Sequence, residues 1–170
     1  MPIHRVPLCL LLTIGFATYA NASAAADDAP IHAVVETFRT AIVDKDRARF
    51  LSVFAPGPVT WQSVRGDATL QELRKQQPQA AKVEFARDKT PVSFIDGIVA
   101  NPIRIEEIFD NVRIDSDRGV ASVVFDYRFL RSGRESNHGL EAWHLVRTEL
   151  GWRIVSVVWS VNPPPEGEAG

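Results

Sequence analysis

The stretch Val120–Ser160, VASVVFDYRFLRSGRESNHGLEAWHLVRTELGWRIVSVVWS, decides the fold. Three runs rich in β-branched and aromatic residues, Val120–Leu130, Ser136–Thr148 and Trp152–Val161, are separated only by Ser132-Gly133 and Leu150-Gly151. A glycine in each break is the chemistry of tight antiparallel turns. Upstream, Ile103–Ile114 repeats the pattern, and Asp115-Ser116-Asp117-Arg118-Gly119 supplies the turn. Four strands in succession predict a meandering sheet that twists and curls.

Helical patterns come before the sheet. Ile31, Val34, Val35, Phe38, Ala41 and Ile42 fall on one stripe from Pro30 onward, with Asp28 placed to cap the start and Pro30 suited to the first turn. Asp44-Lys45-Asp46 breaks this helix. A short second helix, 47–54, carries Phe50, Leu51 and Phe54 and stops at Pro56-Gly57-Pro58. Val59–Val64 alternates around Trp61 as a strand would, and Gly66-Asp67 opens a third helix over Thr69–Gln77, ended by Pro78. Between Ala80 and Asn101 the pattern offers short extended pieces at Val83–Phe85 and Val92–Ile95, with loops between. Helices first and a meander last make an α+β domain over 28–162, its helices covering the concave face of an antiparallel sheet. Pro163-Pro164-Pro165 and the tail to 170 read as a disordered end.

The first residues read as an export signal. After Arg5, Val6–Ala20 carries no charge, too short a run for a membrane anchor and the right length for a signal-peptide core. Ala20-Asn21-Ala22, Ala22-Ser23-Ala24 and Ala24-Ala25-Ala26 each satisfy the small-x-small rule, so 1–24 is read as a signal cut after Ala22, Ala24 or Ala26. The expected product is periplasmic or secreted. Cys9 sits at the start of the apolar run, not after its end, which argues against a lipid anchor. About 144 residues then remain, enough for one core, and they hold no cysteine for a disulfide, a thiol nucleophile or a thiolate metal site. Without Arg5 there are 18 basic against 21 acidic side chains, net −3, and no basic stripe, which argues against nucleic acid and anionic membrane as partners.

With the elements placed, the chain resembles the nuclear transport factor 2-like superfamily in its SnoaL-like branch. The resemblance rests on AIVDKDRARFLSVFAPGPVTWQS (Ala41–Ser63), a helix, an acidic break, a short helix and a Trp-bearing strand, and on Val120–Ser160, with Gly151, Trp152, Ile154 and Ser160 at its end. It spans nearly all of the chain after the signal. It implies a cone-like curved sheet, a pocket inside the cone and a homodimer through the outer sheet face. The superfamily holds isomerases, dehydratases, cyclases and pure binding domains, so fold alone does not choose among them.

Strand parity selects the residues. Asn137, Gly139, Glu141, Trp143, Leu145 and Arg147 share one face, and His138, Leu140, Ala142, His144 and Val146 the other. A Leu150-Gly151 turn would set Trp143 and Leu145 beside Val158 and Ser156, putting Ser156 inside and Val155, Val157 and Trp159 outside. The resemblance turns Asn137, Glu141 and Trp143 towards the cavity. Phe125 and Tyr127 join them if the Ser132-Gly133 hairpin has a three-residue loop with a bulge, which pairs Tyr127 with Gly139; a two-residue loop would pair it with His138. The first register is favoured. Phe38, Phe54, Trp61 and Phe109 would complete an apolar wall.

Glu141 is the candidate catalytic residue if Trp143 and Tyr127 desolvate it, since burial raises a carboxyl pKa, whereas an Arg128 or Arg147 partner would make it a structural ion pair. Asp126 and His138 form a second candidate pair, on the outward face. His138 and His144 are separated by roughly 20 Å of strand, Ser156 has no nearby histidine and no Gly-rich phosphate loop follows a strand, so neither metal nor cofactor is expected. The ranking is therefore a domain that binds a small, largely apolar molecule or mediates assembly, then a cofactor-free isomerase, cyclase or dehydratase, then a protein-interaction module. The deciding observation is whether Glu141 lies at a solvent-reachable cavity with no arginine or lysine partner, or is paired or outside it.

Overall fold

The computed structural model describes residues 28–165; the segment read as an export signal, with the three positions at which a cut was expected, and residues 166–170 of the tail lie outside the described residues. Helix α1 (Ala29–Val43) buries Ile31, Val34, Val35, Phe38, Ala41 and Ile42, the stripe read from the sequence. Asp28 does not cap it with its side chain; the carboxylate instead accepts a hydrogen bond from Ser116 Oγ at 2.6 Å, pinning the helix start to the far end of a strand. After Lys45, at φ 54°, Asp46 caps α2 (Arg47–Leu51) through the Arg49 N–H. This helix is shorter than expected. Val53 and Ala55 hydrogen-bond to the Ile154 backbone, which draws Phe54 off the helix and against the sheet.

Strand β1 (Thr60–Arg65) and α3 (Asp67–Gln76) follow, the helix starting two residues before Thr69. The segment before Asn101 differs from the sequence reading. Val83 makes a single bridge to Val64, and Phe85 is exposed. Pro91–Ala100 is a helix, α4, where Val92–Ile95 was read as extended. Its start explains this: Thr90 and Ser93 form a reciprocal capping box, and Pro91 occupies the first turn, where it has no N–H to leave unpaired. Ile95 and Ile98 face the core at helical spacing.

The sheet runs β1-β5-β4-β3-β2, with β2 (Ile105–Ser116), β3 (Val120–Arg131), β4 (Arg134–Thr148) and β5 (Gly151–Val161) antiparallel in sequence order. The architecture is α+β, as expected, but the sheet is mixed: β1 adds parallel to β5 at the edge. Three bulges interrupt the ladder. Asn111 and Val112 together face Phe125, with Asn111 at φ 54°. Ser136 bulges between Phe129↔Asn137 and Leu130↔Glu135. Val155 bulges between His144↔Ser156 and Leu145↔Ile154. Each adds one residue, bends its strand and exchanges the faces beyond it.

One core fills the space between helices and sheet. Phe38 of α1 stacks on Phe50 and Trp143 at centroid distances of 4.7 Å each, and Trp143 meets Phe125 edge-on at 5.0 Å. Rings at these separations add packing beyond the area they bury. At one end this aromatic layer stops short of the sheet edge and leaves a cavity.

Candidate functional site

The inward positions of four strands converge on that cavity: Glu107 from β2, Tyr127 and Phe129 from β3, Asn137 and Glu141 from β4, Trp159 and Val161 from β5. Phe38, Trp61, Ser63 and Phe94 close the sides, and the exposed Lys89 and Ser93 sit at its rim. Its volume is about 380 Å³, the size of a small organic molecule.

Phe38, Trp61, Tyr127, Asn137 and Glu141 from the sequence set therefore line one cavity. Trp143, Phe54, Phe125 and Phe109 stand behind that lining as packed core, Phe54 against Trp61 and Phe109 4.2 Å from Phe125. Ser156 is not among them. The turn between β4 and β5 is Glu149-Leu150, with Thr148 opposite Gly151, and the Val155 bulge then turns Ser156 to the outer face opposite His144. The same change of parity brings Val157 and Trp159 inside, where the sequence reading had Val158 and Ser156. The hairpin at Ser132-Gly133 has two central residues, both at positive φ (52° and 77°), as a type I′ turn requires. The bulge at Ser136 makes up the third residue, so Tyr127 does pair with Gly139. Asp126 and His138 do not meet. Asp126 faces Leu140 and accepts from Asn111 Nδ2 at 2.7 Å, while His138 sits opposite Arg128 and contacts Glu135.

Sequence reasoning missed Glu107, Phe94, Phe129 and Trp159. A signal for Glu107 existed: Ile105, Glu107 and Phe109 share one face, so an acid interrupts an otherwise apolar inward row. Phe94 was hidden by reading α4 as strand.

Two buried carboxyls dominate the electrostatics. Glu141, 3% exposed, accepts a 2.5 Å hydrogen bond from Trp143 Nε1, and among the described residues neither it nor Glu107 has a salt bridge. Glu107 is 5% exposed, and its Oε2 has no hydrogen-bond partner. Burial pushes Glu141 up to about 7 against the opposing pull of the Trp143 N–H. Burial, with the adjacent Glu141 charge, pushes Glu107 well above the usual carboxylate range. Tyr127 is raised by burial and by both glutamates, so its phenol stays protonated; it donates to the Ser160 carbonyl at 2.8 Å and lies 2.9 Å from the Asn137 amide oxygen. The site thus offers carboxyls that can hold or take a proton near neutral pH, in apolar surroundings.

No protein-family model matches the sequence, and no curated protein matches it. Solved structures do. A nuclear transport factor 2-like superfamily protein of Salmonella enterica serovar Typhimurium is 16% identical over 86% of this chain and 99% of its own, with a TM-score of 0.58. A candidate dehydratase of the same superfamily from Streptomyces avermitilis is 15% identical over 83% of this chain and 99% of its own, TM-score 0.60. A Mycobacterium tuberculosis protein of unknown function is 10% identical over 91% of this chain and 83% of its own, TM-score 0.60. At such identities the likeness is one of fold: this chain has the nuclear transport factor 2-like fold that its sequence resembled.

Proposed function

We propose that the domain is a cofactor-free acid–base enzyme, of the isomerase, cyclase or dehydratase kind, acting on a small and largely apolar molecule in this cavity. The observation that carries the reading is Glu141 on the cavity wall with no lysine or arginine partner, beside a second buried carboxyl. This reverses the sequence-based ranking, which placed pure binding first for want of acid–base groups. Glu141 is the proton-transferring group, at a pKa of about 7 that suits both taking and returning a proton. Glu107 holds the second proton position, and the Asn137 amide is held on the wall by donating to Ser136 Oγ at 3.1 Å. Pure binding is the second reading, favoured by the Trp143–Glu141 hydrogen bond, which gives one carboxylate oxygen a structural task.

Hydrogen–deuterium exchange separates the two without knowledge of the product. A panel of small carbon acids is incubated in D2O with the protein, and exchange at carbon is followed by NMR. The enzyme reading expects wild type to accelerate exchange in compounds that fit, and Glu141→Gln to lose about 10²–10⁴-fold of that acceleration. Compounds that bind yet exchange no faster than with Glu141→Gln would make the domain a binding protein.

We further propose that the domain acts after export, in the periplasm or outside the cell, and as a homodimer through its outer sheet face. Val120, Leu140 and Val158 on that face support pairing, being 58%, 47% and 36% exposed.

A further inference from the structure

A cavity wall normally satisfies its own polar groups. This one does not: Glu107 is about nineteen-twentieths buried, points into the cavity and leaves Oε2 without a partner. A buried carboxyl with an empty acceptor position costs free energy until a donor fills it. Glu141 faces the same space with one oxygen taken by Trp143. The donors nearest to hand do not reach. Tyr127 gives its proton to Ser160, and Lys89, on the exposed rim, contacts Glu84 at 3.5 Å.

The rest of the wall is aromatic. Trp61 stands 5.2 Å from Phe94 and 5.1 Å from Trp159, and Phe94 stands 6.3 Å from Phe129, all lining the cavity. Such rings attract a cation through their quadrupole, most strongly where water is excluded. A neutral alcohol could fill the vacancy on Glu107, but it would leave the aromatic wall and the second carboxyl unused. An anion would meet two acids. A cation with an apolar body answers the two acids and the rings together, while the Lys89 ammonium at the rim contacts Glu84.

We propose that the cavity takes a small organic cation, a protonated amine with an apolar body, seated between the Glu107 carboxyl and the rings of Trp61, Trp159 and Phe94. The inference rests on the reading of the cavity as a ligand site, and not on turnover there. In this arrangement Glu107 is the specificity-determining residue, and the ammonium group drives both glutamates towards their charged forms. Glu141 then enters the reaction as a base.

Binding of benzylammonium is compared with that of its neutral isostere ethylbenzene by tryptophan fluorescence and titration calorimetry. With wild type at about pH 8, the cation is expected to bind at least about tenfold tighter, and the preference to shrink as the pH falls to about 5.5 and the glutamates gain protons. Glu107→Gln, which keeps the side-chain shape, is expected to bring the ratio to about one or below. Equal or tighter binding of ethylbenzene to wild type would overturn the inference while leaving the cavity a ligand site. A preference that survives in the Glu107→Gln, Glu141→Gln double variant would overturn it too, by placing the cation elsewhere. Binding of neither compound would sink this inference and the ligand-site reading together. If the variants fail to fold, the wild-type ratio and its pH dependence still decide.

Discussion

A carboxyl removed from water without a cation beside it holds its proton to higher pH, and the protein's stability must follow. For Glu107 and Glu141 the folded pKa lies above the ordinary 4.5. Between the two values the folded chain binds more protons than the unfolded one, so stability falls as the pH rises. The contribution is complete below about 4.5 and is lost through about 7 for Glu141, with Glu107 acting in the same direction. For Glu141 that span is worth on the order of 3 kcal/mol. Urea denaturation from about pH 4.5 to pH 8 should therefore show declining stability, and Glu141→Gln or Glu107→Gln should flatten the decline and stabilise the chain at the alkaline end. A slope unchanged in both variants would mean that neither group is desolvated. At this scale Glu141, Asn137 and Tyr127 were legible because strand parity is strict between bulges. Ser156 was misplaced because one extra residue, Val155, reverses parity and leaves no mark in composition. Glu107 was legible in principle, because it stands between Ile105 and Phe109 on the inward face of β2.

Among the elements, the β4–β5 pairing controls the cavity most directly. Near the Ser136 end of β4 the regular ladder gives way: the Leu140 N–H donates to Ser160 Oγ at 3.0 Å, and His138 bridges to Asn162. The two backbones come so close that a Cβ on Gly139 would stand 2.1 Å from the Ser160 carbonyl oxygen. That oxygen also accepts the Tyr127 hydroxyl hydrogen bond, so the close approach helps position Tyr127, which lines the cavity. Gly139→Ala must push β5 away. We expect a loss of about 2–4 kcal/mol, read as a lowered denaturation midpoint, together with altered fluorescence of Trp159 on the same strand. A variant within about 0.5 kcal/mol of wild type would show that β5 shifts freely. The strands themselves were plain in the sequence because each break between them holds turn residues. Helix α4 was not, since the β-branched Val92, Ile95, Ile98 and Val99 favour a strand and Gly97 weakens a helix. Only the Thr90–Ser93 capping box and the core contacts of Ile95 and Ile98 override that propensity. The parallel pairing of β1 was invisible for another reason: it joins residues about a hundred positions apart, and no local pattern encodes such a partner.

For the whole molecule, the fold must be stable without a disulfide, since the described residues hold no cysteine. The aromatic layer around Phe38 and Trp143 supplies the inner core, but the outer sheet face keeps large apolar side chains in water. Val120, Leu140 and Val158 lie there with the half-buried Ala142, Val146 and Val155. A contiguous apolar patch on a β-sheet is relieved by pairing with a like surface, and a two-fold dimer is the simplest closed arrangement. Charge on that surface should prevent it. Native mass spectrometry of protein made in its own host is expected to give a dimer whose subunit begins after Ala22, Ala24 or Ala26. Leu140→Asp combined with Val158→Asp is expected to give monomers with unchanged far-ultraviolet circular dichroism. Because both positions face away from the cavity, ligand binding there should survive the loss of the dimer. A wild-type monomer would refute the interface, and a subunit that retains Met1 would refute export. A dimer that survives both substitutions would place the contact elsewhere, and the exposed apolar face would then need a different cover.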